Sequence, residues 1–243
     1  MRNIYLSFAL ALFALMVISP SAGAQQPGSL LIWPVNPVIA ADKKAAALWL
    51  ENPGTSPLTL QIRIYAWEQA EGKNVYAAQE AVVGTPPIVT IAPGTKQLVR
   101  LTRMGAGPAK TEIPYRVIVD EIPAAGLDAT PGAAISFRMR YSIPLFVMGP
   151  ATQRNAPALQ PKLVWRIVTQ GGERFVEVRN NGLVHARLTA AVIGGRTPLG
   201  EGLLGYVLPD RAMRWPLPPG ASTDDFSASV NGLAAVTLER TAE

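Results

Sequence analysis

Ala134-Ile135-Ser136-Phe137-Arg138-Met139-Arg140-Tyr141-Ser142-Ile143-Pro144-Leu145-Phe146 alternates apolar and polar residues over most of its length. Successive side chains of a strand point to opposite faces. Ile135, Phe137, Met139, Tyr141 and Ile143 therefore share one face, and Ser136, Arg138, Arg140 and Ser142 share the other. A helix would scatter the five apolar residues around its circumference. Pro144 has no N–H to give to a ladder, which suits a strand end or a sheet edge. An edge strand carrying a bulky apolar row invites pairing with another chain.

The chain before this stretch reads the same way. Residues 29–39 form an interrupted strand in which Pro34 and Pro37 prevent a continuous ladder, so it is expected to bend or to switch sheets at an edge. Residues 45–52 form a second strand, stopped by Pro53-Gly54. Residues 58–67 alternate, with Leu58, Leu60, Ile62 and Ile64 facing in and Thr59, Gln61 and Arg63 facing out. Glu71-Gly72-Lys73-Asn74 is a turn. Thr85-Pro86-Pro87 fixes an extended path and admits a cis bond. Pro93-Gly94 is a turn signal, followed by strands over 96–103 and 114–123. A Gly- and Pro-containing loop over 124–133 leads into the opening stretch. About seven short strands and no helical period predict an antiparallel sandwich of immunoglobulin type.

Met148-Gly149-Pro150 ends the last strand, and the polar, proline-containing segment 151–161 is the best boundary. Beyond it the strands are predicted at 162–168, 174–180, 186–193 and 203–208. Gly171-Gly172 and Asn180-Asn181-Gly182 read as hairpin-type turns. Residues 216–219 read as a turn-rich linker, and 228–238 as a last strand pair joined at Asn231-Gly232. The expected fold is all-β: a signal peptide over 1–24, an N-terminal immunoglobulin-like sandwich over 25–149 and a smaller sandwich over 150–243.

Met1-Arg2-Asn3 precedes an apolar run from Ile4 to about Ile18, and Ala22-Gly23-Ala24 is a small-x-small cleavage signal. This predicts a secretory signal peptide cut after Ala24, since the run is shorter than the roughly 20 residues a membrane span requires. The mature chain is expected to be exported without inserting into a membrane. The whole chain has 22 Lys+Arg against 17 Asp+Glu, evenly spread and without a basic run, so nucleic-acid binding has no support. With no cysteine, stability must come from buried apolar surface. Only 16% of residues are charged, which fits a turn-rich β protein and not a disordered one.

Catalytic patterns are missing. The single histidine, His185, sits beside a turn and reads as a structural or solvated residue. One histidine and no cysteine do not make a metal site. Neither a nucleophile elbow nor a phosphate-cradling glycine loop opens a helix. Glu112 and Glu121 could form a carboxylate pair only if they converged. No enzyme, cofactor or metal is expected.

Several stretches together resemble the periplasmic pilus-assembly chaperones of the chaperone–usher pathway: residues 30–37, Leu50-Glu51-Asn52-Pro53-Gly54, Tyr65-Ala66-Trp67, Thr85-Pro86-Pro87, 92–101, Tyr115-Arg116, Asp120-Glu121-Ile122-Pro123 and the opening strand. They span about 120 residues in order. The Trp67 motif and the strand over 138–144 are more similar to the archaic branch. The resemblance implies that the chain completes an unfinished pilin-like subunit with its own strand, by donor-strand complementation. Ile135, Phe137, Met139 and Tyr141 would fill the subunit's groove. Burying each is worth roughly 1.5–3 kcal/mol. The implied partners are pilin-like subunits and an outer-membrane usher, the implied compartment is the periplasm, and a self-capping homo-oligomer is one form open to the unloaded chain. The competing reading is an exported two-domain adhesin or structural surface protein, using Trp33, Trp49 or Trp67 to bind sugar.

The family also holds the subunit's C-terminal carboxylate with a basic pair between the domains. Asn36 and Pro144 stand at those two positions here. Arg100, Arg116 and Arg140 are the candidates for a replacement, as basic residues on strands expected to border the donor strand. Glu112 matches an acidic residue of the family's interdomain charge cluster, but Met148 stands at the matching basic position.

Overall fold

The computed structural model describes residues 30–107, 111–122, 138–151 and 159–241. The expected signal peptide, the loop over 124–133, Ile135 and Phe137 lie outside the described residues.

Ten strands build the first sandwich: β1 (Leu31–Trp33), β2 (Val38–Ile39), β3 (Ala45–Glu51), β4 (Leu58–Ala70), β5 (Lys73–Ala77), β6 (Val82–Thr85), β7 (Ile88–Ile91), β8 (Lys96–Arg103), β9 (Glu112–Ile122) and β10 (Arg140–Met148). One sheet runs β1-β3-β8-β6. The other runs β2-β10-β9-β4-β5, with β7 also on β4. Alternation puts Leu58, Leu60 and Ile62 of β4, Val99 and Leu101 of β8, and Tyr115, Val117 and Val119 of β9 into one buried core. The prolines of 29–39 act as expected: β1 pairs with β3 in the first sheet, and β2 pairs with β10 in the second. That second pairing is parallel, so the sandwich is not wholly antiparallel. The Trp33–Pro34 and Thr85–Pro86 bonds are cis.

The second sandwich holds β11 (Leu163–Gln170), β12 (Glu173–Asn180), β13 (Ala186–Ile193), β14 (Thr197–Pro198), β15 (Leu203–Val207), β16 (Arg211–Pro216), β17 (Phe226–Val230), β18 (Ala235–Thr237) and β19 (Glu239–Arg240). Its sheets are β16-β12-β11-β19 and β14-β13-β17-β18, with β15 on β13. Trp165, Val176, Val178, Leu188, Ile193 and Phe226 fill the space between them.

Two local expectations need correction. Asn180-Asn181-Gly182 is not a hairpin turn, because it carries the chain from β12 in one sheet to β13 in the other. Asn180 is fully buried there. Its side-chain oxygen accepts from the Lys162 and Gly182 N–H groups, and its amide donates to the Val184 and Val207 carbonyls. The second correction is β16, which precedes the predicted 216–219 linker and whose Met213 contributes to the core.

Candidate functional site

The predicted strand over 134–146 appears, among the described residues, as β10 starting at Arg140. All nine of its residues pair antiparallel with β9, from Arg140 opposite Asp120 to Met148 opposite Glu112. Its other edge is covered only at Phe146 and Val147, by β2. From Arg140 to Leu145 no described strand pairs with that edge.

The backbone groups on the bare edge follow from alternation. In a strand, the N–H and C=O of one residue point to the same edge, and those of the next residue to the opposite edge. Met139 turns its carbonyl to the Glu121 N–H, whereas Phe146 donates its N–H to the Pro37 carbonyl. Odd-numbered residues therefore serve β9, and Arg140, Ser142 and Pro144 point outward. The donor that Pro144 lacks belongs to the unpaired edge, so the β9 ladder loses nothing.

The side chains divide the apolar row in two. Ile143, Leu145 and Val147 are buried in the chain's own core, and Tyr141 packs against it. Met139, 43% exposed, is reachable from outside. On the opposite face Phe146 is buried against the second domain, in a cluster with Trp67, Tyr206 and Leu208.

That cluster is the floor of the cleft between the sandwiches, and polar contacts lock it from both sides. Gln69 donates to the Tyr206 carbonyl and accepts from the Leu208 N–H. At the tip of the β4–β5 hairpin, the Gly72 carbonyl accepts from the Arg214 N–H. Gly72 has a φ of +75°, and a Cβ there would meet the Arg214 side chain at 2.5 Å. Glu112, its side chain fully shielded, accepts from the His185 N–H at 2.7 Å, and its Oε2 lies 2.9 Å from the ring Nδ1. His185 thus takes the part that the sequence comparison looked for at Met148, which faces Glu112 across the ladder but carries no charge. The imidazole also lies flat on Phe146, with ring centroids 3.6 Å apart.

The three candidate anchoring arginines end in three different places. Arg100 does not border β10. Its strand, β8, belongs to the other sheet, where Arg100 is exposed opposite Ala47 and Thr85. Arg140 pairs with Asp120, its Nε 2.5 Å from Oδ1. Arg116 stands directly across from Pro144 on β9 and turns into the cleft. Its guanidinium carbon lies 3.9 Å above the Trp67 ring and 5.4 Å from that of Tyr206. Its Nε is buried and unpartnered, and no carboxylate among the described residues lies against it. Burial lowers its pKa, an effect that Tyr76 and Tyr206 partly offset. The cleft thus holds a desolvated cation on an aromatic floor, with no carboxylate of the described chain to balance it.

Other expected chemistry does not assemble. Glu112 and Glu121 stand nine positions apart on one strand, about 30 Å, far beyond the span of a glycosidase pair. Trp67 is buried, and Trp33 and Trp49 stack on each other, ring centroids 6.4 Å apart. Among the described residues, no three His, Asp or Glu side chains could hold a metal ion together.

Tandem immunoglobulin-like sandwiches, a strand edge that no described strand covers and a guanidinium without a carboxylate partner in the cleft between them make an architecture suited to pairing with another chain. Residues 33–152 match the pili and flagellar-assembly chaperone, PapD N-terminal domain, family. The chain is 32% identical to the chaperone of the CsuC–CsuE chaperone–tip adhesion subunit pre-assembly complex from the archaic chaperone–usher Csu pili of Acinetobacter baumannii, with a TM-score of 0.73 over 88% of this chain and all of that one. The SafA pilin–SafB chaperone complex of Salmonella enterica matches at 19% identity and a TM-score of 0.61, over 87% of this chain and 95% of that one. The CupB2 chaperone of Pseudomonas aeruginosa matches at 18% and 0.57, over 85% and 97%. At those identities the last two show the shared fold. No curated protein sequence matches. The chain belongs to the family of pilus-assembly chaperones of the chaperone–usher pathway.

Proposed function

We propose that this protein is a periplasmic chaperone that holds pilin-like subunits by lending them β10 and the residues that lead into it. The observation that carries this reading is the bare edge from Arg140 to Leu145, with Met139 exposed at its head. A subunit that lacks one strand of its own sandwich exposes a groove with unpaired backbone on both walls. The outward groups of Arg140, Ser142 and Pro144 supply the missing ladder, and the apolar row from Ile135 through Phe137 and Met139 to Tyr141 supplies the missing core. Tyr141 is half claimed by the chaperone's own core, so Met139 and the residues before it carry most of the contact.

The anchor for the subunit's C-terminal carboxylate is Arg116, in preference to Arg100 and Arg140. Its position opposite Pro144 sets the charge one strand across from where the better-known branch of the family carries its lysine. Hand-over to an outer-membrane usher follows from the pathway, and self-capping through the same edge accounts for the unloaded state. The adhesin reading has no comparable support, because the tryptophans it needs are buried or stacked on each other.

Co-expression with each subunit encoded beside this gene, followed by pull-down, tests the reading. A stoichiometric complex that survives purification is expected with wild-type protein and not with Met139→Asp. Equal recovery of subunit by both proteins would overturn it.

A further inference from the structure

The two halves of β10 are held very differently. Its C-terminal end, at Phe146 and Val147, lies between β9 and β2, and Ile143, Leu145 and Val147 point into the core. Among the described residues its N-terminal half has a neighbouring strand on one side only, and Arg140 and Ser142 are exposed. A strand supported on one edge frays at its free end, yet this is the end that must be presented to a subunit in a fixed register.

One side chain spans the gap. Asp120 lies opposite Arg140 in the ladder and is mostly buried, its side chain 14% exposed. Its Oδ1 accepts from Arg140 Nε on β10, and its Oδ2 accepts from Arg63 Nη2 on β4, each at 2.5 Å. Three neighbouring strands are thus stapled across the outer face of the sheet by one carboxylate. Resting on the proposed function above, we infer that Asp120 is a positioning residue for subunit capture, fixing the head of the lending strand on β9 through Arg140.

The electrostatics agree. Burial alone would raise the Asp120 pKa, but the hydrogen bonds from Arg140 and Arg63 outweigh it and hold the carboxyl below its ordinary value. The charged groups around it are Arg63 on β4, Glu121 on β9, Arg140 at the start of β10 and Arg138 two residues before it, all lining one shallow cavity with Met139. An exposed arginine adds little to global stability, so the effect of the staple falls on local opening.

The test pairs subunit capture with residue-resolved amide exchange on the full chain. In Asp120→Asn, exchange at Glu121, whose N–H bonds the Met139 carbonyl, should rise about tenfold, and capture should weaken to a similar degree. Exchange at Leu145 should stay unchanged. Asp120→Glu should recover most of both losses, and Arg140→Gln should repeat them without adding to Asp120→Asn. Exchange that rises equally at Glu121 and Leu145 would make the role merely structural and overturn the inference, as would wild-type exchange and capture in Asp120→Asn. If the wild-type protein captured no subunit, the function proposed above would fall first, and the assignment of Asp120 to capture with it.

Discussion

Arg116 rests on the face of Trp67, its guanidinium carbon 3.9 Å from the ring centroid, with a buried Nε that no group of the described chain engages. A buried cation without a counter-charge costs folding free energy, and the aromatic face recovers only part of it. Such a residue is suited to wait for an anion from outside. Replacing it with alanine should leave thermal stability nearly unchanged and weaken capture by roughly 1.5–3 kcal/mol, about 10- to 150-fold, the range for a hydrogen bond to a charged group. Titration of a subunit against Arg116→Ala and Arg100→Ala reads this. Amidating the subunit's C-terminus should weaken binding to wild type and leave Arg116→Ala unaffected. Equal loss in Arg100→Ala would assign the anchor elsewhere.

Met139 and Ile143 lie on the same face of one strand, but Ile143 packs into the chain's own core while Met139 is exposed, and on the function proposed above Met139 meets the subunit. Met139→Asp should leave the circular dichroism spectrum and melting temperature unchanged and abolish co-purification with a subunit. Ile143, 6% exposed and part of the core, should not tolerate aspartate, because an unpaired charge there costs several kcal/mol. A folded Ile143→Asp protein would contradict the division of the row.

Glu112 and His185 join the domains through three short contacts, one of them to backbone. Glu112→Ala leaves the His185 N–H without its partner in a shielded site, which costs roughly 1–3 kcal/mol. For a chain of this size that corresponds to a drop in melting temperature of about 2–4 °C per kcal/mol. Calorimetry measures it, and an unchanged melting temperature would mean that the Glu112–His185 contact adds nothing to the apolar cluster and to the Gln69 and Gly72 bonds that also join the domains.

Glu177 sits between Arg166 and Arg214, its oxygens 2.8 and 2.6 Å from their Nε atoms. Burial pushes its pKa up, but the hydrogen bonds from Arg214 and Arg166 push it further down, below the usual carboxylate value. A carboxyl with a depressed folded-state pKa contributes stability above its unfolded value and loses that contribution as pH falls through the folded one. Glu177→Gln should therefore be less stable than wild type by about 1–3 kcal/mol at pH 7, and the two should converge below about pH 4. Urea unfolding at a series of pH values shows it, and a constant gap would disprove the coupling.

Much of the fold was legible because strand period, proline and turn residues act locally. Alternation alone gives the strand over 58–67, the Pro93-Gly94 turn places the start of the strand over 96–103, and Pro34 and Pro37 mark the switch between sheets. What was not legible depends on residues far apart in sequence. Asn180 looks like a turn residue because asparagine before Asn-Gly favours one, but its four bonds reach Lys162, Gly182, Val184 and Val207. His185 reads equally as structural or solvated, because the partner that makes it structural, Glu112, is 73 positions away. Arg100, Arg116 and Arg140 could not be ranked, since strand order between sheets decides which of them faces the cleft. Asp120 falls within the Asp120-Glu121-Ile122-Pro123 stretch, and its alternating neighbours give no sign that two arginines converge on it.

The central claim is that a subunit is bound by backbone pairing along the bare edge of β10. The most direct measurement is amide hydrogen exchange at Arg140 and Ser142, whose N–H groups point to that edge, with and without a captured subunit. Both amides should exchange rapidly in the monomeric chaperone and become strongly protected in the complex, while Tyr141 and Ile143, already bonded to β9, change far less. A tight complex in which Arg140 and Ser142 continue to exchange as in the free monomer would show that the subunit is held by some other surface.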